Sequence, residues 1–258
     1  MNRPDRQKRI CDLLGARSEC SVEEIAAKLK VSGMTVRREL QALADQSKVI
    51  RTHGGATMAQ RISFEFAFLS RAKDNEAGKR SIGRAAAALI NEGQSVLLDS
   101  GTTTLAVAQH LRGRRGVRVI TTSLPIASLL QYDHEIEVML LGGCLRPGSP
   151  DLAGALTEAN IESIRADLAV IGADGIDAEG AVYNQSPEVA RILEKMAAAA
   201  QRVYVVADGS KLGRTALWRF CQLKNLTGLI TDQTADRSLL LSLTKAGVHV
   251  IKASAKRA

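Results

Sequence analysis

Ser95-Val96-Leu97-Leu98-Asp99-Ser100-Gly101-Thr102-Thr103-Thr104 is the stretch whose reading decides the fold. Val96 to Leu98 is a short apolar run of the kind that forms a fully buried strand. Asp99-Ser100-Gly101 interrupts it, and Leu105, Ala108 and Leu111 then recur at a spacing that shares one helix face. A strand that turns through glycine into a helix leaves unpaired backbone N–H groups at the helix N-terminus. Those donors and the helix dipole favour an anion, and phosphate is the usual guest. Gly101 lets the backbone come close to such a guest. Ser100, Thr102, Thr103 and Thr104 add hydroxyl donors without filling the space. A plain N-cap needs one hydroxyl. Four hydroxyls and a glycine in five residues favour an anion site over a simple cap.

Downstream the pattern alternates. Strand-like runs are Val96–Leu98, Val117–Ile120, Ile136–Leu141, Leu168–Ile171, Val203–Ala207, Leu229–Thr231 and Val248–Ile251. Helix-like runs lie between most of them: Thr102–Leu111, Leu124–Leu130, Ala155–Ile164, Pro187–Ala200 and Ala235–Ala246. A further long helix is expected from Asn75 toward Asn91, where Asn91-Glu92-Gly93 stops it. Short apolar strands alternating with amphipathic helices predict an α/β domain on a mainly parallel sheet.

Ligands of such sheets sit at the carboxyl ends of the strands. The residues there are polar: Asp99 to Thr104 after the first strand, Thr121-Thr122-Ser123 after the second, and Gly142-Gly143 with Arg146 after the third. Gly172-Ala173-Asp174-Gly175-Ile176-Asp177 follows the fourth strand and Asp208-Gly209-Ser210-Lys211 the fifth. Each alone reads as an ordinary turn. Together they describe a crevice with N–H and hydroxyl donors, one lysine and several carboxylates. Donors and a cation suit a phosphate, and carboxylates suit sugar hydroxyls. A phosphorylated sugar is the simplest ligand that needs both. Two charged stretches outside the crevice read as solvated: the basic turn Arg112-Gly113-Arg114-Arg115-Gly116, and the face carrying Arg191 and Lys195. Glu188 is set apart because it opens a helix beside the Asp174–Asp177 loop.

The chain has 258 residues, 45% hydrophobic but only 3% aromatic, so its core must be aliphatic. No apolar run approaches the roughly 18 residues of a membrane span, and no signal-peptide core follows Met1, so a cytoplasmic protein is expected. Cys11, Cys20, Cys144 and Cys221 are scattered, with no CxxC pair and no nearby histidine. Free buried thiols are expected, with no metal and no cofactor. The net charge of +8 suits an anionic partner.

The first 57 residues read as a separate unit of three short helices and a hairpin. Ile10, Leu13 and Leu14 form one apolar stripe. Ser21-Val22-Glu23-Glu24 is a capping box, and Val22, Ile25, Ala26 and Leu29 give the stripe of a second helix. Ser32 caps a third, in which Val36, Leu40 and Leu43 face inward and Thr35, Arg37, Arg38 and Gln41 face out. Val49 to Ala56 reads as a strand running into a glycine turn with Arg51 and His53 near its tip. A capped helix, a short link, a helix with a polar and basic face and a hairpin behind it make a winged helix-turn-helix. Residues 1–59 hold eleven Lys or Arg and seven Asp or Glu, a net +4, the sign that phosphate contacts require. Arg37 and Arg38 are assigned to phosphates or base edges, Thr35 and Gln41 to the reading surface, and Arg51 and His53 to the wing. Residues 58–74 form a connector in which Phe64, Phe66 and Phe68 alternate.

Val31-Ser32-Gly33-Met34-Thr35-Val36-Arg37-Arg38-Glu39-Leu40 and Arg51-Thr52-His53-Gly54-Gly55-Ala56 resemble the winged helix of the DeoR family of bacterial transcription repressors. Members usually carry Asp at the position of Glu39 and Gly near Gln46. The strand-end loops resemble the family's sensor domain, which is similar to ribose-5-phosphate isomerase. The matching pieces are Leu98 to Thr104, Leu141-Gly142-Gly143, Gly172 to Asp177 and Asp208 to Gly213. The resemblance covers nearly the whole chain. It implies a homo-oligomeric repressor, a dimer or tetramer, that binds double-stranded operator DNA of a carbohydrate-utilisation operon and is released by a phosphorylated sugar. It implies domains at 1–57 and 75–258, with an effector site at Asp99, Ser100, Gly101, Thr102, Thr103, Thr104 and Lys211. The strand-end reading adds Thr122, Gly142, Gly143 and Asp174. Two other readings stay open at this point. One is a sugar-phosphate isomerase or deaminase with a DNA-binding head, in which Asp174 and Asp177 pass protons. The other is activation in place of repression.

Overall fold

The computed structural model describes residues 2–16, 19–46, 48–58, 68 and 71–254. The chain divides into two compact units, Met1–Arg71 and Ala72–Ala258. Phe64, Phe66 and most of the expected connector lie outside the described residues.

In the first unit the described helices are Arg3–Ala16, Val22–Leu29 and Gly33–Asp45. Ile10, Leu14, Ile25, Val36, Leu40 and Leu43 are buried among one another, as the apolar stripes require. The capping box forms as expected. The Ser21 side chain accepts from the Glu24 N–H at 3.1 Å, and the Glu24 carboxylate accepts from the Ser21 N–H at 2.9 Å. The second helix ends on Lys30 in the left-handed conformation, φ 54°, and Ser32 caps the third helix through the Thr35 N–H. Gln46 closes that helix at φ −87° and ψ 6°, backbone that does not require glycine.

Behind this helix, strand Gly55–Met58 pairs antiparallel with both Val49–Arg51 and Cys20–Ser21. The short strand Cys20–Ser21 has no counterpart in the sequence reading. Gly55 is the contact point: a Cβ there would lie 2.0 Å from the Cys20 carbonyl oxygen. Only a glycine lets the two backbones approach this closely.

The second unit is built on a seven-stranded sheet. Its order is Val250–Lys252, Gly228–Thr231, Ala200–Val206, Ala166–Gly172, Ser95–Leu98, Val117–Thr121 and Ile136–Leu140, with every pairing parallel. The opening stretch thus supplies a central strand, buried on both faces. Val96 and Leu98 pack with Ile82, Val107, Leu111 and Ile126 on one side. Leu97 packs with Ala169, Ile171, Leu193 and Val205 on the other. Fully burying each such aliphatic side chain contributes about 1.5–3 kcal/mol, which is how a core nearly devoid of aromatics holds together.

From Ser95–Leu98 the chain winds outward through Val117–Thr121 to Ile136–Leu140. It then returns to the other side at Ala166–Gly172 and winds the opposite way. The point of reversal lies between Ser95–Leu98 and Ala166–Gly172.

The seven expected strands and the helices between them are present, with ends shifted by a few residues. The helix from Asn75 is shorter than expected, Glu76–Ala87. Its next residues turn back through 3₁₀-type bonds, Leu89 N–H to Ala86 and Ile90 N–H to Ala87. In this unit two features have no counterpart in the sequence reading. One is a small antiparallel sheet of Gly175–Ile176, Ala181–Asn184 and Trp218–Gln222; the other is a hairpin of Cys144–Leu145 and Leu152–Ala153.

Two expectations need correction. Cys144 is exposed, and Cys11 and Cys221 are only partly buried. Lys195 is not simply solvated: it pairs with Glu162 and with Glu158, which also faces Arg191. The basic turn is solvated as expected, with Arg112 and Arg115 exposed, while Arg114 Nη1 donates to the Ile90 carbonyl. Among the described residues no helix is long and apolar enough to cross a membrane, and no group of three His, Cys, Asp or Glu is placed to hold a metal ion.

Candidate effector site and DNA interface

Parallel pairing brings the polar strand ends to one edge of the sheet. Leu98 lies in register with Val170 and Thr121, and Val206 with Gly172 and Ile230. The crevice beside the reversal of strand order is where open α/β sheets place their ligands. Asp99 spans it. Its Oδ2 accepts from the Gly172 N–H at 3.0 Å and its Oδ1 from the Ser100 N–H at 2.5 Å. Burial drives this carboxyl up to about 6. The two backbone donors oppose the rise, and repulsion from Asp151 and Asp174 adds to it.

Gly101 caps helix Thr102–Gln109 with no side-chain bond to its first turn. The hydroxyls nearby divide in use. Thr104 is buried and turns back to the Asp99 and Gly101 carbonyls at 2.6 and 2.8 Å, so it fastens the loop and does not face a ligand. Ser100 Oγ donates to Asp151 Oδ2 at 2.7 Å. The Thr102 and Thr103 hydroxyls, half-buried, have no partner among the described residues.

Asp151 was absent from the sequence reading and sits at the centre of the crevice's polar network. It is buried, and Arg146 grips it with Nε to Oδ1 at 3.0 Å and Nη2 to Oδ2 at 2.8 Å. Arg146 Nη2 also donates to Ser149 Oγ at 2.8 Å. The Pro147-Gly148-Ser149-Pro150 turn between Arg146 and Asp151 was the available signal, because it brings its flanking residues together. Thr122 is buried below this hairpin and its carbonyl accepts the Leu152 N–H at 3.0 Å.

Gly142 and Gly143 serve packing. The Gly142 carbonyl takes the Thr157 hydroxyl at 2.7 Å, and a Cβ on Gly143 (φ 155°) would lie 2.0 Å from that same oxygen. Asp174 accepts the Gln185 N–H at 3.0 Å, and Asp177 is consumed in its own turn. Asp177 Oδ1 takes the Ala181 and Glu179 N–H groups, and its Oδ2 takes the Tyr183 hydroxyl at 2.8 Å. Glu188 is exposed in the first turn of helix Pro187–Ala198.

Lys211 ends the 3₁₀ turn Gly209–Lys211, half-buried, its amine without a partner among the described residues. The turn is held from below by Asp232. Its Oδ1 accepts the Gly209 N–H at 2.9 Å and the Thr234 hydroxyl at 2.8 Å, and its Oδ2 the Asn75 amide at 2.7 Å. Burial alone would raise the Asp232 carboxyl, but these donors outweigh it and keep it below the usual range.

In the first unit, Arg37 and Arg38 lie exposed on helix Gly33–Asp45 with no ion-pair partner among the described residues. Thr35, in its first turn, shares a 2.9 Å hydrogen bond with Ser32. Gln41 and Arg51 are joined: Arg51 Nη1 donates to Gln41 Oε1 at 2.8 Å, and Gln41 Nε2 donates to Asp45 at 2.8 Å. The outer face of the helix and the wing therefore form one hydrogen-bonded surface, with His53 exposed at the turn. Glu39 was read only as a retained charge. It is buried under the helix, where Arg6 Nη2, Gln7 Nε2 and Arg3 Nε donate to it at 2.5, 2.8 and 3.3 Å.

Comparison with known proteins bears on both units. Residues 6–61 match the DeoR-like helix-turn-helix domain, and residues 74–233 match the DeoR C terminal sensor domain. The HTH-type transcriptional repressor GlcR of Bacillus subtilis is 35% identical, over 97% of this chain and 96% of its own. The regulator GlpR of Haloferax volcanii is 33% identical, over 98% of both chains. The glycerol-3-phosphate regulon repressor of Escherichia coli K12 is 29% identical, over 95% and 96%. Among solved structures, ribose 5-phosphate isomerase A of Methanocaldococcus jannaschii aligns with 54% of this chain and 55% of its own, at TM-score 0.41 and 21% identity.

Proposed function

The chain belongs to the DeoR family of transcriptional regulators, and from that premise we propose that it represses a carbohydrate-utilisation operon and is released from operator DNA by a phosphorylated sugar. The observation that carries the effector half is the helix N-terminus at Gly101, left without a side-chain cap, opening on the crevice where the strand order reverses. The first-turn N–H groups, the Thr102 and Thr103 hydroxyls and the Lys211 amine supply donors and a cation for the phosphate. Asp99 and Asp174 supply acceptors for sugar hydroxyls. On the DNA side, Arg37 and Arg38 take phosphates or base edges, Thr35 and Gln41 face the major groove, and Arg51 and His53 lie along the backbone. Residues 1–57 serve as the DNA-binding domain and 75–258 as the sensor, in a dimer or tetramer.

Effector binding shifts the population toward a form whose DNA-binding heads are badly spaced. That shift is no larger than the effector's differential affinity for the two forms. The protein catalyses no conversion of the sugar, so incubation with ribose 5-phosphate or amino-sugar phosphates yields no product.

The test is fluorescence anisotropy of the full chain on labelled duplexes from the DNA flanking its own gene. Phosphorylated sugars and their unphosphorylated parents are added in parallel. One phosphorylated sugar should weaken binding while its parent does not. Thermal stabilisation by a phosphorylated sugar that leaves DNA affinity unchanged would overturn the reading.

A further inference from the structure

We propose that Arg146 is a phosphate-contacting, specificity-determining residue of the effector site, and that Asp151 is an internal anion holding its place until the effector arrives. This rests on the sensor reading above and names a residue that reading does not use. Three donors converge on the Asp151 carboxylate: Arg146 Nε at 3.0 Å, Arg146 Nη2 at 2.8 Å and Ser100 Oγ at 2.7 Å. One carboxylate oxygen, Oδ2, is shared by the guanidinium and the hydroxyl. Ser100 immediately precedes the open N-terminus at Gly101. An arginine fork, a serine hydroxyl and a neighbouring helix N-terminus are the donors that a phosphomonoester takes. Here a side-chain carboxylate occupies them.

A phosphomonoester dianion offers the guanidinium more charge and three oxygens where the carboxylate offers two. The element that would move is slight. The hairpin strands Cys144–Leu145 and Leu152–Ala153 are two residues each, and their turn is largely exposed. Backbone bonds from Leu124 N–H to Pro150 and from Leu152 N–H to Thr122 hold the base of the hairpin, so the exchange moves the Arg146 and Asp151 side chains and the turn between them. The Arg146 side chain is 20% exposed against 3% for Asp151, so it already borders solvent at the crevice.

The two roles of Asp151 predict opposite results. A permanent structural ion pair makes Asp151→Asn lose ligand affinity through a disordered hairpin. An internal competitor makes Asp151→Asn gain it, because the guanidinium and Ser100 are released to the ligand. The experiment is titration calorimetry of the full chain with inorganic phosphate and with a panel of phosphorylated sugars and their parents. Asp151→Asn should bind phosphate-bearing probes about tenfold more tightly or better, a change of ~1.4 kcal/mol or more by the gas-constant conversion, with no gain for the parents. Arg146→Ala should lose at least a similar factor, and Arg146→Lys should recover only part, having the charge without the fork.

Unchanged or weaker phosphate binding by folded Asp151→Asn overturns the proposal. Should that variant not fold, the arginine pair decides: equal phosphate affinity in wild type, Arg146→Lys and Arg146→Ala overturns it. Operator release by the wild-type chain is scored separately. If a sugar phosphate releases the wild type and neither Asp151→Asn nor Arg146→Ala changes the midpoint, Arg146 is structural and the sensor reading stands. If no probe releases the wild type, the sensor reading fails, while a phosphate gain in Asp151→Asn still reports the exchange.

Discussion

Glu39→Ala removes a carboxylate buried beneath the helix that carries Arg37 and Arg38, and its cost follows from the contacts. The Glu39 side chain is 5% exposed. Arg3, 65% exposed, is close to a surface pair, and such pairs contribute about 0–1 kcal/mol. Arg6, 18% exposed, donates twice to Oε1, and Gln7 donates once to Oε2. Hydrogen bonds to a charged group contribute about 1.5–3 kcal/mol each, and breaking a buried pair by deleting one partner costs about 3–5 kcal/mol.

The second figure, a loss of ~3–5 kcal/mol in the N-terminal unit, lowers the midpoint of a unit of this size by about 12 °C or more. The single tryptophan, Trp218, lies in the other unit, so its fluorescence reports the sensor while circular dichroism at the helix band reports both. The expected result is an early loss of helical signal with the tryptophan transition unmoved.

The pH dependence has a definite sign. Burial opposes ionisation of Glu39, but the Arg6, Gln7 and Arg3 bonds outweigh it and hold its carboxyl below the usual range. A depressed carboxyl stabilises above its unfolded value and loses that contribution as pH falls through the folded one. The gap between wild type and Glu39→Gln should therefore close below about pH 4. A midpoint shift of under about 4 °C in Glu39→Ala, equivalent to ~1 kcal/mol, or a parallel shift of the tryptophan signal, would refute the reasoning.

Other changes have equally direct readouts. Gly55→Ala sets a Cβ 2.0 Å from the Cys20 carbonyl, so the wing strand must part from Cys20–Ser21. Weaker binding to non-cognate duplex DNA and a loss of about 2 kcal/mol or more are expected. Arg37→Ala and Arg38→Ala should each weaken that binding and reduce the slope of log affinity against log salt by about one if the residue contacts a phosphate. Ser21→Ala deletes half of the capping box, at about 1 kcal/mol in denaturant melts. Asp99 runs opposite to Glu39. Its folded carboxyl is raised to about 6, so it costs stability above that value and the cost fades as pH falls toward the unfolded value. Two pH units correspond to about 3 kcal/mol at most. Tryptophan-detected melts between pH 7.5 and 4.5 should show this relief in the wild type and not in Asp99→Ala.

The elements were legible because each is a local pattern. Val22, Ile25 and Leu29 at helical spacing, Ser21 with Glu24, and the apolar triplet Val96–Leu98 carry their own instructions within a few residues. Alternation of strand and helix then leaves few topologies, and the polar residues after five consecutive strands mark one edge of the sheet as polar. The hairpin Cys144–Leu145/Leu152–Ala153 was missed because two-residue strands have no period to detect. The small sheet was missed for a related reason: Trp218–Gln222 meets Ala181–Asn184 across a separation in sequence that no local window spans.

The sequence by itself determined which residues are buried, where the helices begin, and that a loop of glycine and hydroxyl residues follows a buried strand. These follow from hydrophobic period and from backbone groups that must find partners near at hand. Tertiary structure alone decided how the polar residues are spent. Thr104 turns inward, Asp177 closes its own turn, and Glu39 lies beneath the helix it helps to build. Asp151 takes the Ser100 hydroxyl and the Arg146 fork together, while Thr102, Thr103 and Lys211 are left with no partner among the described residues. A side chain's type fixes what it can bond to. Which partner it meets depends on how strands distant in sequence are brought into register, and that is set by burying both faces of the sheet.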